Sequence, residues 1–347
     1  MIQISKESFG QKNIFLYTLE NDHGVSLCCT NYGATITKLI VPDKNGKRDN
    51  IVLGFDTLEE YRLHHTYFGA TIGRVAGRIA NGAFSMNGKT YSLNKNEGFH
   101  TLHGGSPSFE SRVWRATIAK EEEYAAVHFS YHSPDGENGF PGNVNVNVSY
   151  FLMNNNEWKI QYQAETDRIT PFDPTNHVFF NLHGDFTKQI GDHFLMIRGE
   201  KFAELNADLI PTGNLLGVKG TPFDFQKKQR IDRGFHFSHQ QNKLVKGYDH
   251  SFVLQHQVGE PDCTLYNPEN GRKIETYTDR NAVVVYTANQ MDGSYCLQDA
   301  PVKPHIGITF ETQNLPGSLY HQEFGNILLH PGEKFHSITV YRFRLEG

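Results

Sequence analysis

At 347 residues, with 33 lysines and arginines against 38 aspartates and glutamates, the chain carries a formal charge of −5. That balance leaves no basic patch for nucleic acid or an anionic membrane surface. No stretch is long and apolar enough to span a bilayer, and Met1-Ile2-Gln3-Ile4-Ser5-Lys6-Glu7 lacks the basic-then-apolar pattern of a secretion signal.

Of the cysteines, Cys28 and Cys29 are adjacent and point to opposite faces of any strand, while Cys263 and Cys296 stand alone. Reduced structural thiols in a soluble, cytoplasmic protein are the expectation.

In chain order the pattern is strand-like almost throughout. Val25, Leu27 and Cys29 alternate with other residues, and Ala34, Ile36 and Ile40 are expected to continue the buried row after a turn at Asn31-Tyr32-Gly33. Asp43-Lys44-Asn45-Gly46 reads as a tight turn. Residues 56–63 are the one piece with helical character, with Asp56 as N-cap and Glu59 three residues on. Gly73, Gly77 and Gly82 break up the segment carrying Arg74 and Arg78, so it must bend sharply and is no phosphate loop.

Three rows then alternate cleanly: Ala125 to Tyr131, Val144 to Tyr150 and Trp158 to Ala164, separated by turns rich in Asn, Gly and Pro. They predict a three-stranded meander. Further β-branched runs lie at 283–286 and 338–345. With no amphipathic helix beyond about ten residues, a βαβ architecture is excluded. The expected fold is all-β, a large antiparallel β-sandwich forming a single domain over residues 1–347, with no linker, internal repeat or low-complexity segment.

Residues 173–184 are the most unusual stretch. Read as one strand, they place Val178, Phe180 and Leu182 on a core face and His177, Phe179, Asn181 and His183 on the other. Two imidazoles, an amide and a ring suit a polar ligand with an apolar underside, such as a sugar. Four other stretches carry candidate groups: Gly77-Arg78, Thr101 to Gly105 with His103, Gly247 to His250 with Asp249, and Gly307 to Gln313 with Glu311. In the last, alternation sets Ile308 and Phe310 against Thr309 and Glu311, so Glu311 can face a cleft.

Other chemistries fit less well. Among the 18 histidines, His100 with His103 and His236 with His239 are the closest pairs, and neither has a third ligand nearby in sequence. No metal site is expected. No Gly-x-Ser-x-Gly elbow is present. Asp249 with Glu311 leaves a two-carboxylate glycosidase open.

Taken together, NKNEGFHTLHGG (94–105), SPDGENGFPG (133–142), NHVFFNL (176–182), GYDH (247–250), YTAN (286–289) and TFETQ (309–313) resemble the aldose 1-epimerase, or galactose mutarotase, family, in that family's order. The resemblance implies a sugar bound in an open cleft on one sheet, Glu311 as general base and His177 as general acid. It also implies that Arg78, His103 and Asp249 bind and orient the sugar, with no cofactor. Three departures stand out: Phe179 where the family often has tyrosine, Gly77 where some members have asparagine, and Val284 where some have glutamine.

Interconverting anomers needs one proton taken from the C1 hydroxyl and one given to the ring oxygen, by groups that exchange roles when the ring closes. A carboxylate and an imidazole suit that task. The alternatives are a non-catalytic carbohydrate-binding protein on the same fold, or an epimerase of a phosphorylated or disaccharide aldose. Either monomer or homodimer is compatible with the sequence.

Overall fold

The computed structural model describes residues 2–297 and 300–346. Its main layer is a nine-stranded antiparallel sheet. The strands run in the order Arg115–Lys120, Tyr124–Ser133, Val144–Met153, Glu157–Thr166, Phe335–Leu345, Arg272–Thr278, Cys263–Tyr266, Phe194–Ile197 and Gln229–Arg230. The expected meander forms its first half, and Val127, Val146, Val148 and Trp158 are fully buried as the alternation requires.

Facing this layer are two five-stranded sheets. One is built in sequence order from Gln3–Phe9 to Arg48–Asn50. The other runs Pro211–Gly217, Lys201–Leu205, Asp249–Val253, Ala282–Tyr286 and Glu311–Gln313. One continuous apolar cluster draws Leu27 and Leu39 from the first, Val127, Trp158 and Ile274 from the large sheet, and Phe252, Val283 and Val285 from the second. Burial of this kind, at about 25 cal/mol per Å² of apolar surface, is what holds the layers together. The all-β sandwich is therefore as the pattern predicts.

Three local expectations are corrected. Ile40 is half-buried, and Leu39 and Val41 take the core positions. The cause is a bulge: Cys28 pairs with Lys38 but Cys29 with Ile36, so Thr37 is an extra residue that shifts the alternation. The first helix spans Leu58–Leu63 with Thr57, not Asp56, as its N-cap, and Thr57 with Glu60 completes a capping box. A second helix, Gln240–Val245, went unread because its sequence, QQNKLV, has no apolar stripe; the His239 side chain caps it.

The second five-stranded sheet matters most for function. Its inner face carries His250, Phe252, Val283 and Val285 into the core. Strand alternation sends Asp249, Ser251, Val284 and Tyr286 to the opposite face, where they floor a cleft.

Candidate active site

The cleft encloses about 600 Å³. Register fixes its floor. Val284 pairs with Glu311 on one side and Ser251 on the other, and continuing the register sets Ala203 opposite Ser251. A second row holds Asp249 beside Tyr286. Glu311 thus stands on the edge strand of the sheet. Thr175 and Asn176 run alongside that edge, and the chain carries on from them to His177.

The two edges are tied together. Thr175 Oγ1 donates to Thr312 O at 3.2 Å, and the Asn314 N–H donates to the Asp173 carboxylate at 3.2 Å. The His177 backbone is held in turn, its N–H donating to Ala70 O and its carbonyl accepting from the Gly69 N–H. The result brings His177 Nε2 to 3.4 Å from Glu311 Oε1, both side chains buried.

Burial sets the protonation of this pair. It pushes Glu311 up to about 8, helped by the Asp249 charge and opposed by the Thr309 hydroxyl and Arg78. It pulls His177 down to about 4. Between those values the pair holds one proton. His177 Nδ1 is buried and has no protein partner.

Arg78 lies on the other side. Its Nε and Nη2 donate to the two oxygens of Glu97 at 2.7 and 2.9 Å, a two-point grip that fixes the guanidinium plane. Nη1 is left facing Asp249 at 3.6 Å. Burial works against the charge of Arg78, but Asp249 and Glu97 prevail and its pKa is raised. Burial raises the Asp249 carboxyl against the pull of Arg78.

His103 is oriented by the backbone. The Gly77 N–H donates to His103 Nδ1 at 3.2 Å, so in the neutral ring the proton must be on Nε2. Burial, with His177 and Arg78 nearby, keeps the ring neutral by holding its pKa well below normal. His103 is a fixed N–H donor. Tyr67 packs edge-on to it at 4.8 Å and lies 5.8 Å from the His177 ring, with its backbone in the left-handed region at φ 59°.

Candidate ligand atoms of His103, His177 and Glu311 all lie within 4.8 Å of one another. Sequence spacing missed this grouping, since its members are more than 70 residues apart along the chain. They fit a metal poorly: Nε2 of His103 already carries the proton that the Gly77 bond demands, and ligation there would break that bond. Of the pairs His100/His103 and His236/His239, one member each is held structurally: His100 Nδ1 accepts from Asn81 N, and His239 caps its helix.

A second group, His183, Asp192 and His193, also lies within 4.8 Å. His193 Nε2 accepts from the Leu182 N–H and Nδ1 meets Asp192 at 3.0 Å; His183 meets Asp192 at 3.0 Å and Asn267 at 3.1 Å. No nitrogen is left for an ion.

All five predicted residues, Glu311, His177, Arg78, His103 and Asp249, line one cleft, as do Phe179, Gly77 and Val284. Asn181 and His183 do not. Only Thr175–Asn176 and Phe179–Phe180 are strand, so alternation fails beyond Phe180, and Asn181 donates instead to the carbonyls of Lys188 and Ile306. Arg74 is 2% exposed and spends its donors on Ser133, Pro134, Pro141 and Thr170. Sequence reasoning missed Glu97, Tyr67, Ser251 and Tyr286. Glu97 and Tyr286 lay in plain view inside motifs; Tyr67 and Ser251 had no local signal.

The chain is similar to known proteins over nearly its whole length. The family model described as Aldose 1-epimerase matches residues 16–342. The galactose mutarotase of Sus scrofa is 35% identical over 350 residues, covering 99% of both chains. The aldose 1-epimerase of Escherichia coli is 33% identical over 335 residues, covering 95% of both. The crystal structure of galactose 1-epimerase from Lactobacillus acidophilus superposes with a TM-score of 0.88 at 29% identity, over 100% of this chain and 99% of that one. The chain belongs to the aldose 1-epimerase family.

Proposed function

We propose that the protein is an aldose 1-epimerase that interconverts the α and β anomers of free hexoses such as galactose and glucose. The observation that carries the reading is the buried His177–Glu311 contact at 3.4 Å, set in a cleft with the Arg78–Asp249 pair.

In this mechanism Glu311 takes the proton from the C1 hydroxyl while His177 gives one to the ring oxygen. The C1–O5 bond breaks as the C1 carbonyl forms. Rotation about C1–C2 turns the other carbonyl face to O5, which attacks C1; His177 takes the O5 proton back and Glu311 returns its proton to O1. Nothing is oxidised or transferred, so the protein's own groups suffice. The single proton on the pair must reside on His177 in the reactive complex. That is a shift between touching groups with no change in net charge, and sugar hydroxyls donating to Glu311 favour it.

Arg78 and Asp249 bind neighbouring sugar hydroxyls as donor and acceptor, and His103 adds its Nε2 proton. The whole chain, residues 1–347, acts as one domain, a reading supported by the apolar cluster common to all three sheets and the family match over 16–342. A phosphorylated substrate is disfavoured: among the described lining residues Arg78 is the only arginine or lysine, against Glu97, Asp249, Asp292 and Glu311.

The test is polarimetry on freshly dissolved α-galactose and α-glucose, with calorimetric binding on the same preparation. Accelerated decay of rotation is expected for both sugars. Binding without acceleration would make the protein a carbohydrate-binding module.

A further inference from the structure

The cleft floor carries a pattern that acid–base chemistry does not use. Away from His177, one cross-strand row reads Glu311, Val284, Ser251, Ala203. Val284 sits one strand, about 4.8 Å, from the base. It borders the cleft with an isopropyl group that can neither give nor accept a hydrogen bond. Gly77 adds no side chain, and the atoms nearest a Cβ there would be Pro316 carbons, at 3.1 and 3.2 Å, and Gln313 Nε2, at 3.7 Å. One strand beyond Val284, the Ser251 hydroxyl is buried and has no protein partner.

The reaction proposed above orients the sugar on this row. O5 must face His177, which comes from beyond the sheet edge, and O1 must face Glu311. The ring carbon on the side of C1 away from O5 is C2, so C2 lies over Val284. C3 comes next, toward Ser251. The span from Glu311 to Ser251 is two strand spacings, about 10 Å, which suits one pyranose ring with a hydrogen bond at each end.

We infer that the enzyme does not read the C2 hydroxyl: aldoses lacking it, or bearing it in the opposite configuration, are substrates alongside galactose and glucose, while the Ser251 hydroxyl serves the hydroxyl on C3. Strong discrimination against a missing hydroxyl requires a protein group that is left unpaired without it. Val284 leaves nothing unpaired. The inference rests on the mutarotase reading, and the experiment separates their failures.

The measurement is kcat/KM of the wild-type enzyme for galactose, 2-deoxygalactose and 6-deoxygalactose, and for glucose against mannose. The 2-deoxy sugar is expected within about tenfold of galactose, and mannose within about tenfold of glucose. Val284→Gln places an amide over C2 and should lower 2-deoxygalactose relative to galactose by a further factor of about ten or more. The wild-type series stands even if that variant misfolds. A wild-type loss of about 100-fold or more on 2-deoxygalactose overturns the inference. So does rejection of the 2-deoxy sugar with tolerance of the 6-deoxy one, which would put C5 over Val284. An enzyme active on galactose with either result keeps the reaction and loses only this inference. Inactivity on every sugar would remove both.

Discussion

Among the described residues, two groups each join two buried histidines to a carboxylate, Glu311 buried in one and Asp192 part-exposed in the other, and they behave in opposite ways. In the His183–Asp192–His193 group the ring nitrogens are occupied by the Leu182 N–H, Asp192 and Asn267. Burial works against Asp192, but hydrogen bonds and charge from His193 and His183 win and hold its carboxyl well below the usual carboxylate range. In the cleft, His177 Nδ1 has no protein partner, the contact to Glu311 is a loose 3.4 Å, and the carboxyl is pushed up to about 8. Imidazoles and a carboxylate make a structural joint where partners abound, and the proposed acid–base pair where partners are withheld. Unpaired buried polar groups cost stability, and His177 Nδ1 and the Ser251 hydroxyl, both on residues that line the cleft, are two of them.

The largest difference between the two groups should appear in turnover. Glu311→Gln is expected to slow mutarotation by about 10²–10⁴ while leaving galactose binding measurable. Asp192→Asn should leave kcat within about twofold of wild type, since that group touches no reacting atom. Polarimetry on both variants checks this, and a fully active Glu311→Gln would end the assignment of Glu311 as base.

Next in size are the groups proposed to bind the sugar. Arg78→Ala and Asp249→Asn each remove a charged hydrogen-bonding partner, worth about 1.5–3 kcal/mol, so KM for galactose should rise about tenfold or more. An unchanged KM in both variants would take them out of the binding contact.

The pH profile sharpens the comparison further. With one proton on the cleft pair the enzyme has an acid and a base. Below about 4 His177 gains a second proton and no base remains; above about 8 Glu311 loses the shared proton and no acid remains. A plot of kcat/KM should therefore be flat between these limits and fall about tenfold per pH unit outside them. An upper limb near 6.5 would instead assign the shared proton to an unperturbed histidine.

Stability should separate the groups by sign. Glu311 has a folded pKa above its unfolded one, so its contribution is fully present below the unfolded value, about 4.5, and is lost as pH rises through about 8. Glu311→Gln removes that loss and should raise Tm by a few °C, roughly, at pH 8 and much less at pH 4.5. Asp192 has a depressed pKa, so it stabilises above the unfolded carboxylate range and stops doing so as pH falls. Asp192→Asn should lower Tm at pH 8. Thermal scans of the two variants at both pH values test the contrast, and equal signs would break it.

The smallest expected effect is none. Dialysis against a chelator should leave the rate unchanged, because the Gly77 bond keeps a proton on the only nitrogen His103 could offer an ion. Activity lost and then restored by zinc would refute that tautomer.

What the sequence revealed follows physical range. Alternation alone turned Glu311 away from the core and drew the meander of Ala125 to Ala164, because neighbouring residues decide a strand's faces. It failed at Ile40, where the extra Thr37 resets the pattern, and at His183, where the strand stops at Phe180. The roles of His177, Arg78, His103 and Asp249 came from family resemblance; no local pattern distinguishes them from solvated residues. Glu97, Tyr67 and Ser251 owe their positions to a turn, a left-handed backbone and a cross-strand register respectively. Glu97 was in view inside a motif and passed over, while the backbone turn at Tyr67 and the cross-strand register of Ser251 leave no signal in the local pattern.

The bonds from Thr175 to Thr312 and from Asp173 to Asn314 have a mechanical consequence. They rivet the segment bearing His177, the proposed acid, to the strand bearing Glu311, the proposed base, so the two travel as one piece. Residues 63–66 and 290–292 also line the cleft and take no part in those two bonds. Movement of those segments would change how a sugar enters and leaves under the proposed reaction, while the gap between His177 and Glu311 stays the same. In the proposed reaction, sugar traffic and proton handling would thus fall to different parts of the frame.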